Sequence, residues 1–136
     1  MALMVWSKDL DTGIGVIDAQ HQRLLGIINQ LRAARGRDDR QVVSEALDNL
    51  VDYTLFHFAF EETMLEQANY ALTEDHRRLH AAFVVRVEDQ LARFRAGQDV
   101  SEELEQSIAQ WLFRHIRIED HAYVQDVKSA LNAHKP

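Results

Sequence analysis

The chain contains almost no residue that would interrupt a helix. Its 136 residues include one proline, Pro136 at the last position, and only five glycines. Proline removes a backbone donor and clashes with the preceding turn, and glycine weakens a helix, so their scarcity lets long helices run unbroken. A chain of this length can bury a real hydrophobic core, and we expect residues 1–136 to form a single domain.

Four long segments repeat apolar residues at intervals of three and four, which is typical of amphipathic helices. The predicted helices span about residues 18–35, 39–67, 74–96 and 102–132. Asp38 or Asp39 can cap the second helix and Thr73 the third, while Gly36 is a candidate stop for the first. Short links make successive helices antiparallel, so the sequence predicts an all-α, up-down-up-down four-helix bundle.

Residues 1–16 lack this periodicity and are expected to form a non-helical N-terminal arm, with Trp6 packed against the bundle. Asp18 is expected to cap the first helix. The periodicity also predicts that Leu79 faces inward on the third helix, and that Ile118 and Ala122 face inward on the fourth.

Charge and cysteine content exclude several classes of function. Fifteen basic residues against 22 acidic ones give a net charge of −7, which disfavours nucleic-acid binding. No apolar run reaches the length of a membrane-spanning helix, and the N-terminus lacks the basic start of a secretory signal, so we expect a cytoplasmic protein. The absence of cysteine rules out disulfides, thiolate nucleophiles and every thiolate metal site.

Polar residues recur on the inward stripes of all four predicted helices. They are His21 on the first helix, His57 and Glu61 on the second, His76 and His80 on the third, and His115 on the fourth. One buried histidine is most often satisfied by a neighbouring polar group, but five histidines and a glutamate cannot satisfy one another well. A metal ion, or two, would satisfy all of them, so the sequence predicts a metal site.

The number and type of these residues narrow the choice of metal. Five imidazoles exceed the needs of one tetrahedral zinc, so two ions are the more economical interpretation. Nitrogen and oxygen ligands without sulfur suit iron, manganese or zinc. Residues four apart on a helix lie about 40° apart around its axis, so His57 with Glu61, and His76 with His80, can reach one metal or two adjacent ones.

The order and spacing of these residues resemble the hemerythrins, most closely the single-domain bacterial hemerythrins. The matching pattern is a histidine in the first helix, His-x3-Glu in the second, His-x3-His in the third and His-x4-Asp in the fourth. The last of these is His115 with Asp120. The resemblance extends over about residues 5–127 and departs from the family at Ala71, where a proline often stands.

The resemblance implies reversible dioxygen binding at a non-haem di-iron centre, for oxygen storage, delivery or sensing, with dioxygen as the partner and no catalytic residue. It implies that His76, His80 and His115 bind one iron. It further implies that His21 and His57 bind the other, which keeps an open position. Glu61 and Asp120 would bridge the two ions together with an oxo or hydroxo group.

The resemblance also implies an apolar dioxygen pocket lined by Leu24, Phe58, Trp111, Leu112 and Ile116. Plain core packing is the alternative for each of them, and one residue can have both roles. Two alternatives stay open. One is a di-iron enzyme that reduces peroxide or nitric oxide, and the other is an iron-homeostasis module. We expect a monomer.

Helical geometry by itself would not choose Asp120 as a ligand. His115 and Asp120 are five residues apart, about 140° around a regular helix, whereas Glu119 lies closer to the face of His115. A π-bulge in the fourth helix would reconcile the spacing with the resemblance. The remaining polar residues have ordinary explanations: His121 and His134 are expected to be solvated, and Glu62 is expected on an exposed face.

Overall fold

The structure is a computed structural model that describes residues 5–37 and 39–133. All the regular elements in these residues are helical, and they form an antiparallel four-helix bundle, as predicted. The elements are a short 3-10 turn at Lys8–Leu10, α1 (Gly15–Arg35), α2 (Arg40–Gln67), α3 (Thr73–Arg95), α4 (Ser101–His115), a π-helical segment (Ile116–Asp120) and α5 (His121–Ala133). The last three are continuous and form the fourth long helix of the bundle.

Each long helix packs against two neighbours, α1 against α2 and α4, and α3 against the same two. This ring encloses a main apolar cluster that runs along the bundle and includes Leu24, Leu50 and Leu104. A smaller cluster at one end contains Ile17, Leu65, Tyr70, Tyr123 and Val127. Among the described residues, no helix is long and apolar enough to cross a membrane.

The beginning of the chain is fastened to α1. The helix starts at Gly15, three residues before the predicted start, so Asp18 lies within its first turn. The prediction that Asp18 caps this helix was wrong, because its carboxylate instead accepts hydrogen bonds from Thr12 N–H (2.8 Å), the Thr12 hydroxyl (2.7 Å) and Gly13 N–H (3.0 Å). Gly13 has φ +81°, a conformation that glycine adopts at little cost.

The arm itself contains one short turn of 3-10 helix at Lys8–Leu10, which the prediction of a non-helical arm did not include. Leu10 is buried in the main cluster. Trp6 is half-buried and packs against the same cluster, which confirms its predicted position. The Trp6 indole N–H also donates to Asp11 Oδ1 at 2.6 Å.

The predicted capping residues had mixed outcomes. Asp39 caps α2 as predicted, because its carboxylate accepts from Gln41 N–H at 3.0 Å, while Asp38 lies outside the described residues. The prediction for Thr73 was wrong: it is the first residue of α3, and its hydroxyl donates to Tyr70 O at 2.6 Å. Gly36 follows α1 as predicted, with right-handed φ −68°.

Three predicted inward positions are exposed. Leu79 lies beside the inward stripe of α3 and is 39% exposed. Ile118, inside the π-helical segment, is 54% exposed, and Ala122, after it, is also exposed. The segment adds one residue to a turn, so positions within and after it no longer follow the 3.6-residue stripe. Tyr123 is buried after the segment instead.

Candidate metal centre

Seven polar side chains meet inside the bundle, each at most 3% exposed, and all four long helices contribute. They are His21 from α1, His57 and Glu61 from α2, His76 and His80 from α3, and His115 and Asp120 from the fourth helix. The spacing of four within α2 and within α3 places both side chains of each pair on the inward face. The structure therefore brings together every residue that the sequence nominated as a ligand.

The first group of candidate ligands consists of three imidazoles and one carboxylate. His80 Nε2 lies 3.0 Å from His115 Nε2, which lies 3.1 Å from His76 Nε2. Glu61 Oε1 is 2.5 Å from His76 Nε2 and 3.1 Å from His80 Nε2. These four residues can direct one ligand atom each towards a single ion.

The second group shares Glu61 with the first and adds two imidazoles and one carboxylate. His21 Nε2 lies 3.1 Å from His57 Nε2 and 3.1 Å from Asp120 Oδ2. Glu61 Oε2 is 3.5 Å from His57 Nε2. In both groups the candidate ligand atoms lie within 4.8 Å of one another. Asp120 also reaches the first group, since Oδ1 is 3.1 Å from His76 Nε2 and 3.2 Å from His115 Nε2.

The residues of this cluster fit a bound cation better than they fit one another. Both carboxylate oxygens of Asp120 are fully buried and lack a well-directed hydrogen bond, although imidazole nitrogens lie 3.1–3.2 Å away. Nδ1 of His21 is also buried without a hydrogen bond. Burying polar groups whose hydrogen bonds are not made is costly. The Nε2 atoms of several imidazoles face each other at about 3 Å, an arrangement that a shared metal ion stabilises. Nitrogen and oxygen donors of this kind suit iron, manganese or zinc.

Polar residues outside the cluster orient two of the imidazoles, His57 and His80. The Nδ1 atom of His57 lies 2.7 Å from Gln20 Oε1, and Nδ1 of His80 lies 2.9 Å from Glu62 Oε2. Such partners hold a hydrogen on Nδ1, so that the Nε2 lone pair points at a metal. Sequence reasoning missed both, and Glu62 was wrongly placed on an exposed face. In the sequence, the only indication of their role was that Gln20 directly precedes His21 and that Glu62 directly follows Glu61.

The π-helical segment decides which acidic side chain faces the cluster. Asp120 is fully buried at the centre, while Glu119 is half-buried and its Oε1 lies 3.3 Å from His115 Nδ1, on the outer side of the ring. A regular helix would have favoured Glu119, and the π-bulge expected in the fourth helix is present at Ile116–Asp120. The extra residue in the widened turn brings Asp120 round to the centre.

Electrostatics within the cluster is dominated by its two carboxylates. Burial opposes the charge on His76 and His115, but Asp120 and Glu61 outweigh it and raise the pKa to about 9 for His76 and about 10 for His115. Burial lowers the pKa of His57 to about 4 despite the nearby charge of Glu61. Burial also disfavours ionised Glu61, yet its hydrogen bonds to histidines hold its pKa well below the usual range.

Tyr123 is a further member of the site that the sequence did not indicate. Its ring is fully buried one turn after Asp120, and its hydroxyl donates to Glu61 Oε2 at 3.0 Å. Burial, followed by the charges of Glu61 and Asp120, raises the pKa of this hydroxyl, so it keeps its proton and remains a donor.

The five predicted pocket residues all belong to the main apolar cluster or pack against it. Phe58 stacks on His80 with 3.8 Å between ring centroids, and Trp111 stacks on His115 at 4.5 Å. Leu24, Leu112 and Ile116 are fully buried in the same cluster. Apolar side chains therefore pack directly against imidazoles of the first group.

His121 and His134 were predicted to be solvated and not to bind metal. His121 is half-buried, and the prediction that it is solvated was wrong: its Nδ1 lies 2.6 Å from Ile116 O and its Nε2 lies 2.9 Å from Asp11 O. His134 lies outside the described residues.

Comparison with known proteins agrees with this geometry. The family model "Hemerythrin HHE cation binding domain" matches residues 12–127. The chain belongs to the hemerythrin family. The resemblance found in the sequence is thereby confirmed, and the matched residues of this hemerythrin-family chain include all seven candidate ligands.

Similar proteins support the assignment over nearly the whole chain. A bacteriohemerythrin of Stenotrophomonas maltophilia is 47% identical over 97% of this chain and 86% of its own length. A bacteriohemerythrin of Methylococcus capsulatus is 31% identical over 90% of this chain and 95% of its own length. A solved wild-type hemerythrin is 30% identical and superimposes with a TM-score of 0.87, covering 93% of this chain and 98% of its own.

Proposed function

We propose that this chain holds two non-haem iron ions and binds dioxygen reversibly. The observation that carries the proposal is the pair of overlapping ligand groups, which share Glu61 and are both approached by Asp120. The names of the relatives, bacteriohemerythrin and hemerythrin, support the same function.

The two groups suggest unequal roles for the two ions. His76, His80 and His115 give the first ion three imidazoles, whereas His21 and His57 give the second only two. Glu61 and Asp120 have oxygen atoms near both groups, so these two carboxylates would hold both ions, and an oxo or hydroxo group would complete the centre. The second ion would keep the position at which a small ligand can bind.

The surrounding residues favour binding over turnover. Two ferrous ions would supply two electrons that dioxygen can accept and return. Phe58, Leu112 and Ile116 are fully buried, exclude water and offer no acid or base that could protonate a bound ligand. This apolar surrounding favours a carrier over an enzyme that reduces peroxide or nitric oxide.

An optical titration tests the proposal. The chain is reconstituted anaerobically with ferrous iron, exposed to measured additions of dioxygen, and then returned to an anaerobic atmosphere. We expect about two irons per chain, visible absorption bands that grow with dioxygen, and loss of those bands on deoxygenation. The zinc-loaded chain is the matched control and should give no bands.

Two results would contradict the proposal. Irreversible oxidation with continuing consumption of dioxygen would favour the enzyme alternative. Binding of many more than two irons per chain would favour a role in iron homeostasis.

A further inference from the structure

The N-terminal arm contacts the π-helical segment and the residue that follows it. Arg117 Nε donates to Asp9 Oδ2 at 2.5 Å. The ring of His121 lies between two backbone carbonyls, with Nε2 2.9 Å from Asp11 O in the arm and Nδ1 2.6 Å from Ile116 O at the start of the segment. Carbonyl oxygens only accept, and a neutral imidazole has one N–H, so the ring donates to one of these carbonyls at a time while it lies in contact with both.

The arm has its own attachments to the bundle, independent of the π-helical segment. Leu10 is 2% exposed in the main apolar cluster, and Trp6 packs against that cluster. Thr12 donates to Asp18 of α1 through both its backbone N–H and its hydroxyl. The arm is therefore a fixed support against which the π-helical segment is held.

A widened helical turn needs such support. π-helical turns are rare, and they occur mostly as single insertions at functional sites. Here Ile116 O accepts the backbone N–H of His121 and also lies 2.6 Å from its ring Nδ1, so the backbone and the side chain of one residue both contact the carbonyl that closes the wide turn. Without that closure, the regular α-helix becomes the competing conformation. It would bring Glu119, four residues after His115, towards the cluster.

We propose that the arm, acting through His121 and Arg117 as positioning residues, holds the wide turn and so selects Asp120 over Glu119 as the carboxylate that faces the metal centre. This inference rests on the proposed ligand set. It gives the arm a role in forming the site, although the arm supplies none of the seven candidate ligands.

The first test uses the metal-free chain and needs no bound ion. Amide hydrogen exchange is measured at residues 116–121 in His121→Phe, in Arg117→Ala and in the double variant. Loss of one or two tertiary hydrogen bonds is expected to speed exchange there by about tenfold, and by more in the double variant. Arg95→Ala is the matched control, since it removes another exposed arginine–aspartate pair (Arg95–Asp48, 3.0 Å).

The control should leave exchange at residues 116–121 unchanged. Unchanged exchange in His121→Phe, in Arg117→Ala and in the double variant would overturn the proposal. If His121→Phe does not fold, Arg117→Ala alone decides the test, because its side chain is 49% exposed and fills no part of the core.

The second test asks which carboxylate binds metal, with Co²⁺ as the probe. In the natural sequence, Asp120→Ala is expected to lower the number of bound cobalt ions. Glu119→Gln keeps an oxygen acceptor beside His115 Nδ1 and removes only the carboxylate, so it should leave that number unchanged. In the background of His121→Phe with Arg117→Ala, the loss caused by Asp120→Ala should shrink, and Glu119→Gln should now lower the count. An effect of Asp120→Ala that is the same in both backgrounds would overturn the proposal.

Neither test uses dioxygen, so its outcome is separate from that of the proposed function. A chain that binds cobalt with the expected switch but fails to bind dioxygen would contradict only the proposed function. A chain that binds dioxygen but shows no switch would contradict only the role of the arm.

Discussion

Replacing Tyr123 by phenylalanine removes one hydroxyl from the site and changes little else. That hydroxyl is fully buried and donates to Glu61 Oε2 at 3.0 Å. In the metal-free chain Glu61 is ionised, because hydrogen bonds from histidines hold its pKa well below the usual range. The variant therefore deprives a buried negative charge of a donor, and water cannot easily replace it.

The expected loss follows from the type of bond. A hydrogen bond to a charged acceptor contributes about 1.5–3 kcal/mol, against about 1 kcal/mol for a neutral pair. We therefore expect Tyr123→Phe to lower the free energy of unfolding of the metal-free chain by about 1.5–3 kcal/mol. At roughly 4 °C per kcal/mol for a domain of this size, Tm should fall by roughly 6–12 °C.

Urea unfolding followed by circular dichroism, with a chelator present, measures this change. The matched control is Tyr53→Phe, because Tyr53 is half-buried and packs beside Phe56 on α2. The control should change the free energy by less than about 0.5 kcal/mol. A loss below about 0.5 kcal/mol for Tyr123→Phe, with an unchanged urea dependence, would refute the assignment of this hydroxyl to the buried carboxylate.

Three further predictions concern the metal and the fold. Glu61→Ala should abolish binding of both ions because both groups share this residue, whereas His57→Ala should remove mainly one ion. Mass spectrometry of the cobalt-loaded chain counts the bound ions, and equal losses in the two variants would contradict the shared role of Glu61. Metal binding at about pH 7.5 should release about two protons per chain, because His76 (pKa about 9) and His115 (pKa about 10) must lose their protons to bind metal. Metal binding should therefore weaken as the pH falls. Calorimetry in buffers of different ionisation enthalpy measures that release, and none would refute the raised pKa values. Asp39→Ala should lower the free energy of unfolding by about 1 kcal/mol through the lost cap of α2, which urea unfolding can measure, and an unchanged midpoint would show that the cap is dispensable.

Helix periodicity allowed the bundle to be predicted because apolar residues on one face have to be buried whatever the neighbouring helix is. The same reasoning failed at the fourth helix, where Ile118 and Ala122 were predicted inward and are exposed. A periodicity of 3.6 residues holds only while the turn is regular, and the sequence pattern does not show where one turn takes an additional residue. Two helix starts were also predicted wrongly. Asp18 and Thr73 do not cap their helices, because each forms a different hydrogen bond from the one expected.

The sequence by itself determined that five histidines and Glu61 would face one interior, because their spacings repeat those of the apolar core. It also supplied, through the family pattern, Asp120 as the seventh residue. The structure confirmed the π-helical turn through which Asp120 reaches that interior. Only the tertiary structure decided which residues stand behind the imidazoles and what His121 contacts. Those outcomes depend on atoms distant in sequence, such as Asp11 O beside His121 and Gln20 beside His57, which no periodicity along one helix can reveal.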